Sequence, residues 1–233
     1  MRVDETCRED GATALIQARK RQLRRSILAL RRGLPAAEGL TRSRLVWDRI
    51  ARLACYQHAH MVLGYMAFDH EVLTDGLMRQ AMASGKQIVL PMVQVDREGM
   101  TLYAIEDLEH DVAPGYRGIL EPRPRRTRAV APETLELVLI PGVAFDLRGG
   151  RLGFGAGFYD RLLSRLPRHI PTVGLAFDFQ VIPRLPSQPH DIILDAIVTE
   201  RGVIWGTSST QADEAEGARF SNVTGVTGGR GEV

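Results

Sequence analysis

Residues 135–160 read LELVLIPGVAFDLRGGRLGFGAGFYD, and their order sets the fold class. The nearly unbroken apolar run LELVLI predicts a strand buried on both faces, and Pro141-Gly142 ends it in a turn. Gly153, Gly155 and Gly157 then alternate, and an amphipathic segment predicts a helix to about residue 166. Similar apolar runs occur at 61–66 (MVLGYM), 87–93 (QIVLPMV) and 171–177 (PTVGLAF), with a further strand at 100–105 (MTLYAI). Helical spacing fills 12–34, stopped by Pro35, then 37–53, and 74–84, where Thr74 stands at the cap and Gly85 closes the segment. Residues 114–132 are rich in Pro and Arg and read as irregular. AIVT at 196–199 and GVIW at 202–205 read as a last strand pair. Doubly buried strands separated by helices predict a three-layer α/β/α fold, a single domain with a mainly parallel central sheet. The domain is expected over residues 11–205, between disordered tails at 1–10 and 206–233.

Charge narrows the function. Thirty Lys and Arg against 28 Asp and Glu give a net +2, so the arginine clusters at 19–32 and 123–128 mark local anion sites. Aromatic residues are not interleaved with them, which argues against nucleic acid as a partner. Cys7 and Cys55 supply neither a disulfide scaffold nor a zinc motif. No run approaches the ~20 apolar residues of a membrane span, and the acidic N-terminus lacks the apolar core of a secretory signal. A cytoplasmic protein with no membrane partner is expected.

Chemistry concentrates in four places. Glycine amides opening a helix suit a phosphate, although the segment is neither a Walker loop nor a spaced GxGxxG, and a plain strand-to-helix turn uses the same glycines. Asp160 beside that loop fits a magnesium ligand, and equally a first-turn aspartate favouring the helix dipole. Asp191 is a second candidate carboxylate, with His190 next to it as a candidate base. Along the first helix Lys20, Arg24 and Arg31 share one stripe at the edge of the apolar face of Leu23, Ile27 and Leu34, where cations can reach into a cleft. Glu71 follows the first strand as a candidate acceptor for a polar ligand edge, and spacing does not separate it from Asp69 or Asp75.

Five segments in order, KRQLRRSILALR (20–31), FDHEVLT (68–74), PGVAFDLRGGRLGFGAGFYDRLL (141–163), GLAFDFQ (174–180) and HDIILDAIVTE (190–200), resemble the 5-formyltetrahydrofolate cyclo-ligase family. The resemblance implies ATP-dependent closure of 5-formyltetrahydrofolate to the 5,10-methenyl form, through a phosphorylated formyl group, with magnesium as cofactor. It places Lys20 and Arg24 on the ATP phosphates and wraps Arg151, Leu152, Gly153, Phe154, Gly155, Ala156, Gly157, Phe158 and Tyr159 around the nucleotide. Asp160 and Asp191 would hold the metal, and Phe68, Glu71 and Phe158 would line the folate pocket. No single catalytic residue is assigned, and a monomer acting on small molecules is expected. The chain departs from the family pattern at Leu73, Ala156 and Phe158, on the folate side. That leaves open a paralogue acting on another formyl or amide group, or a nucleotide- or folate-binding module without turnover.

Overall fold

The computed structural model describes residues 3–97, 99–188 and 191–207, the side chains of 3–10, 12 and 97 excepted. In chain order the helices are α1 (Val3–Arg32), α2 (Ala36–Ile50), α3 (Ala54–His58), α4 (Asp75–Ala83) and α5 (Phe158–Leu163). The first strands are β1 (Met61–Leu63), β2 (Gln87–Gln94), β3 (Gly99–Ile105), β4 (Val112–Pro114), β5 (Leu120–Pro122), β6 (Arg128–Val130) and β7 (Leu137–Ile140). They are followed by β8 (Ala144–Asp146), β9 (Arg151–Leu152), β10 (Thr172–Leu175), β11 (Val181–Ile182), β12 (Ala196–Val198) and β13 (Val203–Trp205).

Among the described residues, eight strands form one sheet in the order β13-β12-β10-β7-β1-β2-β3-β6. The five inner strands are parallel, while β13, β3 and β6 join antiparallel at the edges. The sheet is therefore mainly parallel within a mixed α/β single domain, as its doubly apolar strands predict. In β7, Leu137 and Leu139 face one core, with Trp47 and Ile50 of α2 and Leu77 and Met78 of α4. Val138 and Ile140 face the opposite core, with Leu162 and Leu163 of α5 and Phe145 of β8. Because side chains alternate along a strand, one short apolar run feeds both cores, each large side chain contributing about 1.5–3 kcal/mol.

Several boundaries differ from expectation. The first helix begins at Val3, inside the stretch read as a tail, and α5 ends at Leu163 rather than near 166. The segment 37–53 is not one helix: α2 stops at Ile50, and α3 is separate. Thr74 stands at the cap position of α4 without capping it; its hydroxyl donates to the Tyr65 carbonyl. The passage 114–132 is not wholly irregular, since β5 pairs with β4 and β6 extends the main sheet. The strand at 135–142 does not lead straight into the glycines either. The β8–β9 hairpin intervenes, held by Asp146, which accepts from the amides of Gly150 at 2.8 Å and Leu185 at 2.9 Å. His190 and the C-terminal segment from 208 lie outside the described residues.

Candidate active site

One cavity of about 340 Å³ opens beyond the carboxyl ends of β1 and β7, where parallel sheets place their ligand loops. Lys20, Arg24, Phe68, Glu71, the whole run from Arg151 to Asp160, and Asp191 all line it. The residues singled out from the sequence thus converge, although they come from four separate segments.

On one side the glycine loop meets the cationic face of α1. Arg24 Nε donates to the Gly153 carbonyl at 2.8 Å, which docks the loop on the helix. Lys20 Nζ donates to Asp191 Oδ2 at 2.7 Å, and Gln17 Nε2 to Gln188 Oε1 at 3.1 Å, so α1 also carries the 188–191 segment. Arg151 Nη2 donates to Asp160 Oδ1 at 2.6 Å while its Nη1 donates to the Pro141 carbonyl at 3.2 Å. Burial lowers the Arg24 pKa, with Asp160 opposing it. Gly155 (φ 105°) and Gly157 (φ 71°) take left-handed conformations, which lets the chain reverse twice before α5 begins at Phe158. This side therefore sets three cations against two carboxylates around a glycine turn that Arg24 docks on the helix.

The other side is apolar and aromatic, with one buried carboxylate. Phe154 lies edge-on to Phe68 at 6.0 Å, and Phe158 to Tyr116 at 5.8 Å. Glu71 is buried, and its Oε2 accepts from the Phe68 amide at 3.1 Å. Burial raises its pKa to about 7, against the opposing charge of Arg31. Burial also raises Tyr65 and Tyr159, both beside Glu71.

The structure separates the three acidic candidates. Asp69 turns away and pairs with Arg32 at 2.8 and 2.9 Å, a bond that lowers its pKa. Asp75 is exposed in the first turn of α4, and only Glu71 of the three enters the cavity. Leu73 is corrected: it is not a wall of the cavity but packs on the core beside α2, where its carbonyl accepts from Trp47 Nε1 at 2.6 Å. Sequence reading missed Tyr116, Arg117 and Glu121, which reach the cavity from the β4–β5 hairpin. Glu121 is buried, and its Oε1 accepts from the Val93 amide at 3.2 Å. The glycines Gly115 and Gly118 were the available signal, but three-residue strands show no periodicity.

A mainly parallel α/β domain with one deep, mixed polar and apolar cavity at its strand ends is the frame of a small-molecule enzyme. Comparison with known proteins gives the particular family. The profile of the 5-formyltetrahydrofolate cyclo-ligase family matches residues 16–200. A mouse 5-formyltetrahydrofolate cyclo-ligase is 29% identical over 203 residues, covering 81% of this chain and 97% of the relative. The Escherichia coli K12 enzyme of that name is 37% identical over 144 residues, covering 60% and 78%. The NMR structure of Aquifex aeolicus 5,10-methenyltetrahydrofolate synthetase superposes with a TM-score of 0.73 at 33% identity, covering 84% of this chain and 97% of that one. The chain belongs to the 5-formyltetrahydrofolate cyclo-ligase family and is an enzyme, a ligase.

Proposed function

We propose that the protein couples ATP hydrolysis to closure of 5-formyltetrahydrofolate into 5,10-methenyltetrahydrofolate, releasing ADP and phosphate. The observation that carries this reading is the two-sided cavity, with a cationic glycine loop on one wall and a buried carboxylate among aromatic side chains on the other. A formyl oxygen is a poor leaving group. Its lone pair attacks the γ-phosphorus of ATP, an O–P bond forms, the bond to the β-phosphate oxygen breaks, and ADP leaves. N10 then attacks the formyl carbon, the C–O bond breaks with departure of phosphate, and N10 loses its proton as the ring closes.

The protein's part is to bring donor and acceptor oxygens into line and offset the moving charge. Lys20, Arg24 and Arg151 would bind the phosphates, and the backbone from Leu152 to Tyr159 would enclose the nucleotide. Glu71 would accept from a donor edge of the folate, between Phe68 and Phe158. The apolar walls would exclude water, which would otherwise hydrolyse the phosphorylated formyl group.

Asp160 and Asp191 would hold magnesium. Among the described residues no three His, Cys, Asp or Glu cluster as a dedicated metal cage. Two carboxylates facing a phosphate site fit magnesium, which takes one or two carboxylates and completes its shell with phosphate oxygens and water. When bound, the ion would supply positive charge to offset that of the transferred phosphate. Among the described residues no helix is long and apolar enough to cross a membrane. A monomer acting on soluble substrates in the cytoplasm belongs to the same reading.

Purified protein given 5-formyltetrahydrofolate, ATP and magnesium should form the methenyl product, followed by its near-ultraviolet absorbance, with one ADP per product. A folded preparation that binds ATP but forms no methenyl product overturns the reading.

A further inference from the structure

Arg31 shares a helix stripe with Lys20 and Arg24, yet it does not line the cavity. It lies directly behind the wall and is 0% exposed. Its Nη1 donates to the Gly142 carbonyl at 3.2 Å, while Nε and Nη2 have no hydrogen-bond partner among the described residues. Two carboxylates stand at looser distances, Asp69 Oδ2 at 3.7 Å from Nη2 and Glu71 Oε1 at 3.9 Å from Nη1. Asp69 is already committed, since both its oxygens accept from Arg32. Glu71 is therefore the carboxylate for which Arg31 supplies the balancing charge. The Arg31 guanidinium also lies 5.5 Å from the ring centre of Phe154, which in turn packs on Phe68.

One cation thus touches the 68–71 turn, the Pro141-Gly142 turn and the glycine loop. The first of these is strained: Asp69 (φ 46°) and His70 (φ 62°) are consecutive non-glycine residues in the left-handed region. Such strain persists only where surrounding contacts hold it, and it gathers at binding sites. Here it sends Asp69 outward and Glu71 inward. A buried ion pair is a poor source of stability, because apolar residues of equal volume do as well. Its incomplete bonding makes Arg31 poorer still in that role.

We propose that Arg31 is a positioning residue: it fixes Glu71 as the buried acceptor of the cavity and joins that carboxylate to Phe154 of the glycine loop. The proposal rests on the reading of Glu71 as the substrate's acceptor. The groups facing Glu71 are Arg31 and Arg151, which favour its charged form, Asp69, which opposes it, and the phenols of Tyr65 and Tyr159. Loss of Arg31 leaves Arg151 as the remaining cation of that set.

The test compares Arg31→Gln and Arg31→Lys with the native protein. In the ligand-free protein, the Glu71 carboxyl titration followed by NMR should move upward by about one pH unit in Arg31→Gln and be largely retained in Arg31→Lys. In turnover, Arg31→Gln should raise KM for the reduced folate roughly tenfold, with KM for ATP within about twofold, and shift the folate kcat/KM pH profile upward in step. An unmoved Glu71 titration, or two KM values rising in parallel, overturns the proposal. If Arg31→Gln alone does not fold, the double variant Arg31→Gln/Glu71→Gln, which removes both charges together, decides: it should fold and lose no more folate kcat/KM than Glu71→Gln alone, and a further loss or a failure to fold overturns it. Absence of folate turnover in the native protein would refute the proposed reaction, while the ligand-free titration would still decide the role of Arg31.

Discussion

The ammonium of Lys20 and the carboxylate of Asp191 meet at 2.7 Å across 171 positions of sequence. Both line the cavity, so the pair closes one end of the proposed phosphate site. Each charge is held by the other, and under the proposed reading incoming phosphates and metal would exchange for it.

Lys20→Met should therefore weaken nucleotide binding. A hydrogen bond to a charged group contributes about 1.5–3 kcal/mol, so a loss of roughly 10- to 100-fold in ATP affinity is expected by calorimetry. Folate binding should change far less.

Asp160→Asn should raise the magnesium concentration needed for half-maximal turnover by about tenfold or more, if two carboxylates share the ion. Its effect on stability should be small, because Asp160 is half exposed and such pairs contribute about 0–1 kcal/mol. Magnesium titrations and thermal melts separate the two effects.

Gly157→Ala and Gly39→Ala should move stability in opposite directions. Gly157 has φ 71°, and a Cβ there would stand 2.7 Å from Arg161 Nη1, so about 1–2 kcal/mol should be lost. Gly39 lies inside α2, where a Cβ meets only Leu34 Cδ2 at 3.6 Å, so about 0.5–1 kcal/mol should be gained. Denaturant midpoints at constant slope give both values.

Glu71 predicts an unusual pH dependence. Burial raises its folded pKa from 4.5 to about 7, so over that interval the folded state binds more protons than the unfolded chain. Its favourable contribution is complete below pH 4.5 and is lost as pH rises to about 7. The native protein should lose stability across this window relative to Glu71→Gln, and urea melts at pH 5 and pH 7.5 measure the difference.

Leu73→Asp should destabilise the fold rather than improve substrate use. The half-buried side chain packs on the core cluster that includes Trp47, so a carboxylate there would lose part of its hydration. Thermal melts should show the loss, and folate KM should not fall.

The amino-acid sequence by itself determined every strand of the main sheet except β6, the α/β class and the family. Runs such as LVLI bury on both faces wherever they pair, and the glycine alternation at 153–157 permits a turn that few other residues tolerate. It also singled out Lys20 and Arg24 by their shared stripe on the first helix, Asp160 beside the glycine loop and Asp191 as a second carboxylate, while Arg151 came from the family resemblance. Spacing left Asp69, Glu71 and Asp75 equal and the family resemblance pointed to Glu71, but only the tertiary structure showed that Glu71 alone of the three enters the cavity. Asp69 and Glu71 differ in direction because two left-handed residues reverse the chain between Phe68 and Val72, and composition does not register that turn. It also assigned Leu73 to the core and brought Tyr116, in the turn, and Glu121, on β5, to the cavity from a hairpin whose three-residue strands are too short to show a period. The physical reason is common to all of these. Residue type fixes what a side chain can do, whereas its facing depends on backbone direction and on partners distant in sequence.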